Sequence, residues 1–116
     1  MGGKEKENTE SYQVRLSLKA TKDFNDITSY ISVINHQPLN SVRVADQLVK
    51  RINTLADNPF AFKECAELKT KSGRYRIAVL KSWQIIFRIK KFDITVLGIL
   101  HVSQHPSIIR SLRKIK

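Results

Sequence analysis

The sequence is poor in the residues that would fix a fold covalently or build a ready-made cofactor site. Its 116 residues hold one cysteine, Cys65, so no intrachain disulfide can form and packing alone must hold the chain together. Cys65 sits in Phe62-Lys63-Glu64-Cys65 without an obvious base, which suits a small buried loop residue better than a nucleophile. The glycines are Gly2, Gly3, Gly73 and Gly98, and none lies between a strand pattern and a helix pattern, which excludes a phosphate-cradling loop and nucleotide hydrolysis with it. Long apolar runs are missing too. The stretch from Ile85 to Leu100 is cut by Arg88, Lys90, Lys91 and Asp93, short of the roughly 20 residues a membrane span requires. Met1-Gly2 opens like an acylation signal, but Lys6 stands where Ser or Thr is needed. The first thirty residues have no signal-peptide core, and the expected location is the cytoplasm. His101 and His105 are four apart, yet Pro106 follows and no third ligand is evident, so neither metal nor cofactor is expected.

Acidic residues are scarce, and their distribution is uneven. The net charge is +11, and residues 1–60 carry eight Lys or Arg against seven Asp or Glu, whereas residues 61–116 carry thirteen against three. Nearly all the excess therefore lies in the second half. A field of one sign attracts an acidic partner, whether nucleic acid, a nucleic-acid-bound enzyme or an acidic protein.

Residues 1–10, MGGKEKENTE, lack apolar periodicity and read as a disordered tail; residues 11–116 read as one domain. Tyr12, Val14, Leu16 and Leu18 alternate with polar residues, the period of a half-buried strand. Ala20, Phe24, Ile27, Ile31 and Ile34 then recur at helical spacing as far as about Asn35, where Pro38 breaks the helix. Asn40 or Ser41 is placed to cap a second helix with the stripe Ala45, Leu48, Ile52 and Leu55, closed by Asn58-Pro59. Residues 59–72 read as a loop with at most a short strand or turn. Three β-rich runs follow, Tyr75–Leu80, Trp83–Ile89 and Ile94–His101, joined so closely that they must form an antiparallel meander. Pro106 introduces a short basic helix over Ser107–Lys114.

This order, β-α-α-β-β-β with a short C-terminal helix, implies an α+β fold: a helical hairpin packed on one face of a mostly antiparallel sheet. The other face is expected to be open and cationic, with Arg74, Arg76, Gln84, Arg88 and Lys90 on it. The aromatics Tyr75, Trp83, Phe87 and Phe92 are assigned to the core in preference to base stacking. Metal-free RNA cleavage needs an acid, a base and cations around one phosphate, roles open to Arg76, Lys81, Arg88 and His101. The competing reading makes the same residues a solvated or partner-binding face.

From Tyr12 to Lys116 the chain resembles the RelE/ParE toxin superfamily. The matching stretches are Tyr12 through Ser17, Ala20, Asp23 through Ile27, Tyr30, INTLADNP, Gly73-Arg74-Tyr75-Arg76, WQIIFRI and ITVLGILH. The resemblance implies a toxin held inactive by a cognate antitoxin, which alone contacts operator DNA. It also implies one of two targets: the ribosome and its mRNA for a RelE-like endonuclease, or DNA gyrase for a ParE-like inhibitor without a catalytic site. The chain has Ala78 and Gln84 where RelE-like enzymes carry basic residues, and its ending VLGILHVSQHPSIIRSL resembles that of ParE. The ParE-like reading is favoured, with a target- or antitoxin-binding surface of Arg76, Arg88, His101, His105, Arg110 and Arg113. The alternatives are the endonuclease and a degenerate toxin that only binds its antitoxin.

Overall fold

The computed structural model describes residues 11–116; the tail assigned to residues 1–10 lies outside the described residues. The first strand, β1, is Gln13–Leu16, shorter than its alternation suggests. Ser17 ends it. Its backbone N–H still continues the ladder to the Val96 carbonyl, while its Oγ donates to the Leu97 carbonyl at 3.0 Å and accepts from the N–H of Ala20 at 3.0 Å. That last bond caps the next helix, α1, Leu18–Ser29. Leu18 therefore belongs to the helix, and at 91% exposure it is not part of the strand's buried face as its spacing predicts.

α1 runs on into a π turn, Tyr30–Ile34, closed by the bond from Asn35 N–H to the Tyr30 carbonyl. The wider turn rotates the end of the apolar stripe outward, so Ile31 is buried and Ile34 is 59% exposed. The second helix, α2, spans Pro38–Thr54. Pro38 opens this helix at the position where a missing N–H costs nothing, rather than merely ending the one before, and neither Asn40 nor Ser41 is its cap. Ser41 is instead buried inside the helix and donates to the Thr28 carbonyl at 2.7 Å, tying the tip of the hairpin.

After two short 3-10 turns flanking β2 (Lys63–Glu64), the chain forms β3 (Tyr75–Leu80), β4 (Trp83–Lys90), β5 (Asp93–His101) and a short helix α3 (Pro106–Ser111). The sheet order is β1-β5-β4-β3-β2, with β1 parallel to β5 and the other pairs antiparallel. The helical hairpin is the crossover that a parallel pair requires. In β5 the register slips from Phe87↔Val96 to Ile86↔Gly98, leaving Leu97 unopposed in a bulge. Just beyond, where β1 has ended, the Asp23 carboxylate accepts from the Ile99 N–H at 3.0 Å and covers the exposed ladder edge.

The sheet has a core on each face. Ala20, Ile27, Leu48 and Ile52 of the hairpin pack on Ile85, Phe87, Ile94 and Val96. On the other face, expected to be open, Ile109 and Leu112 cover Ile86, Leu97 and Leu100, together with Cys65 and Leu68 from the 63–68 segment. The expectation of an open second face fails because β5 is buried continuously from Ile94 to Leu100, so its apolar residues point both ways and both sides must be covered.

Candidate functional site

β3 and β4 place the expected cations on different faces. Arg76 alternates with Tyr75 and shares the hairpin side with Ala78 and Phe87. Its guanidinium is spent on the loop: Nε donates to the Gly73 carbonyl at 2.7 Å, and Nη1 donates to the carbonyls of Phe60 and Phe62 at 3.2 and 3.0 Å. Glycine is favoured there, since φ is +64° and an added Cβ would come within 2.7 Å of Arg76 Nη2 and displace the guanidinium. Arg88, opposite Tyr75 in the ladder, lies on the α3 side and donates to the main-chain carbonyls of Ile115 and Lys116 at 2.6 and 2.9 Å.

His101 and Lys81 sit at the other end of the sheet. His101 pairs with Trp83 at the start of β4 and meets its ring edge-on at 5.3 Å, and Lys81 is the first residue of the β3–β4 turn. Arg88 is five residues further along β4, roughly 17 Å at the usual strand rise. The four groups named for RNA cleavage are thus divided between two ends of the sheet and, for Arg76 and Arg88, between two faces. Both His101 and His105 accept a backbone N–H at Nδ1, from Ser103 and Ser107 at 3.1 Å each, which places the proton of the neutral ring on Nε2. His105 thereby caps α3, and Arg110 is exposed on that helix.

Arg88 and Arg113, of the six surface residues named from sequence, are brought together. They line a cleft of about 550 Å³ with Arg74, Lys90, Lys114 and Lys116, and none of the lining residues is acidic. Tyr75, 3% exposed, forms its base, with the guanidinium carbons of Arg74 and Arg113 at 5.6 and 5.4 Å from the ring centre. Stacking on one buried ring fixes both guanidinium groups without neutralising them. Lys114 and Lys116 had not been singled out from sequence; the basic run Arg113-Lys114-Ile115-Lys116 was the available signal.

A second feature is apolar. Leu16, Phe24, Val49 and Ile52 line a groove of about 220 Å³ beside the hairpin. Leu39 and Val42 are exposed on α2, on the same helical face as Val49. The buried stripe of α2 accounts for its 3.6-residue signal, and the exposed row of Leu39, Val42 and Val49 lies beside that stripe.

Residues 14–106 match the family described as the ParE toxin of the type II toxin–antitoxin system parDE. The chain belongs to the ParE toxin family. Among solved structures, this ParE-family chain resembles a chain of the chromosomal ParDE toxin–antitoxin system of P. aeruginosa, with a TM-score of 0.63 and 19% identity over 79% of this chain and 97% of that one. It also resembles a chain of the toxin–antitoxin complex RelBE2 of Mycobacterium tuberculosis, with a TM-score of 0.56 and 17% identity over 78% and 98%. At such identities the likeness establishes the ParE/RelE fold. No curated protein matches significantly. No helix among the described residues is long and apolar enough to cross a membrane.

Proposed function

We propose that this ParE-family toxin acts in the cytoplasm by binding rather than by catalysis, that it inhibits DNA gyrase and hence replication, and that a cognate antitoxin neutralises it. One observation carries the choice over an mRNA endonuclease: Arg88 lies about 17 Å and Arg76 about 13 Å of strand away from the row that holds His101, beside the turn with Lys81. Acid–base cleavage of one phosphodiester needs its groups within hydrogen-bond reach of it. Ala78 and Gln84 add no cation at the His101 end.

The antitoxin is assigned to the apolar groove of Leu16, Phe24, Val49 and Ile52, continued by Leu39 and Val42. Such a surface suits the apolar side of a segment that folds as it binds. The RelBE2 relative is itself described as a toxin–antitoxin complex, which supports a partner of this kind. Operator DNA would then be reached through the antitoxin. The target is assigned to the opposite, cationic side, around Arg88 and Arg113.

Purified protein added to gyrase supercoiling and to translation reactions tests the reading. Accumulation of cleaved DNA with intact message is expected. Codon-positioned mRNA cuts would overturn it in favour of the endonuclease, and inertness in both with retained antitoxin binding would make the chain a degenerate toxin.

A further inference from the structure

The cationic cleft is not isolated. It shares Arg74 and Lys90 with a neighbouring cleft of about 390 Å³ that reaches Lys91 and Phe60, and it shares Ile115 and Lys116 with another of about 270 Å³ that reaches Arg15. The three acidic side chains of the second half of the chain, Glu64, Glu67 and Asp93, line none of the three. We infer that these clefts form one continuous track that holds a nucleic-acid strand directly, through successive phosphodiester groups.

Three features point to this ligand. On the hairpin three of the five Lys and Arg side chains are paired with carboxylates, Lys19 with Asp23, Lys22 with Asp26 and Lys50 with Asp46. Along the central cleft no lysine or arginine is paired with an Asp or Glu side chain among the described residues. Second, Arg74 and Arg113 are held on Tyr75 and Arg88 on two carbonyls, so the guanidinium groups are positioned before a ligand arrives and less side-chain freedom is lost on binding. Third, charge is spread along a line, with an exposed aromatic, Phe60, at one end where a base can stack. An acidic peptide would need apolar sockets for its other side chains along its length, whereas the central cleft is lined by cations apart from Tyr75 and Ile115, and apolar Leu18 lies only at one end of the track.

The inference rests on the reading of this side as the one that meets the target, but its test uses no gyrase, so the two can fail separately. Labelled single-stranded DNA, RNA of the same sequence and duplex DNA, each of about 20 nucleotides, are titrated with the protein by fluorescence anisotropy. Polyglutamate of similar charge serves as competitor. With four to six phosphates engaged, a single strand is expected to give a log affinity against log salt slope of about −3 to −4. The single strands are expected to bind more tightly than the duplex, whose paired bases cannot stack on Phe60, and a duplex that binds tightest would overturn the inference of a strand. Lys90→Glu with Lys114→Glu, both exposed positions, is expected to weaken binding about 100-fold at low salt. Lys22→Glu with Lys50→Glu makes the same change of net charge on the hairpin and is expected to leave affinity near that of the parent. Equal losses in the two double variants would reduce the track to a diffuse field and overturn the inference. So would a slope near −1, or polyglutamate competing as well as the oligonucleotides.

Discussion

Single side chains at the end of β1 carry more of this fold than their size suggests. Ser17 uses one hydroxyl to cap α1 and to satisfy the Leu97 carbonyl at the β5 bulge. Ser17→Ala removes both bonds from a buried site, and the expected cost is about 1–3 kcal/mol in urea unfolding; a loss under a few tenths would show that water replaces the hydroxyl. Cys65 makes the opposite point. Burial is the main cause that pushes its thiol above the ordinary range, aided by the nearby Glu67 charge, so it is a packed neutral group and not a nucleophile. A thiol reagent should leave it unmodified in native buffer and react fully in denaturant. Because the folded thiol holds its proton more tightly than the unfolded one, its contribution is complete below the ordinary thiol pKa and is lost as pH rises through the raised value. Cys65→Ala should therefore flatten the alkaline decline in stability, and an identical decline in both proteins would rule the linkage out.

At the scale of elements, the helical hairpin and the β3–β5 meander were legible because each repeats a period over several turns or strands. The parallel pairing of β1 with β5 was not, since nothing in Gln13–Leu16 names its partner. α3 was legible as a basic helix but not as the lid of a second core: within Pro106–Ser111 only Ile109 is buried, and one residue has no period. The cationic cleft was half legible. Arg74, Arg88, Lys90 and Arg113 were all flagged, but Arg76 was grouped with them, and strand alternation sends it to the hairpin side. The two β-hairpin turns offer a test of local strain. Lys81 and Lys91 open them with φ of 54° and 57°, a region that costs a side chain about 1–2 kcal/mol and glycine little. Lys91→Gly is expected to stabilise the protein by about 0.5 kcal/mol after the added freedom of the unfolded chain is subtracted, measured as a shift of the urea midpoint at constant slope. Leu112 tests the lid. It is fully buried, and Leu112→Ala should cost about 2–5 kcal/mol, as for a core leucine; a cost near zero would mean that α3 is not part of the cooperative unit.

For the molecule as a whole, the two cores and the charge act against each other. The described chain has a radius of gyration of 15.3 Å, while the sequence carries a net charge of +11, so its cations sit within a Debye length or two of one another at low salt. Of the hairpin's ion pairs, Lys22–Asp26 and Lys50–Asp46 are exposed i,i+4 pairs of little individual worth and Lys19–Asp23 is part-buried and screened less, so salt costs the hairpin little. Screening the repulsion among Arg74, Arg88, Lys90, Arg113, Lys114 and Lys116 gains more, because they crowd one cleft that no Asp or Glu side chain lines. Stability should therefore rise with salt. Raising sodium chloride from about 20 to about 200 mM is expected to lift Tm by a few degrees, about 1 kcal/mol for a domain of this size. Lys90→Glu with Lys114→Glu, which relieves the same repulsion covalently, should raise Tm at low salt and shrink the increment. Scanning calorimetry of the two proteins across that range decides it: a Tm that falls with salt, or an increment unchanged by the double substitution, would place the dominant electrostatic cost somewhere other than the cleft.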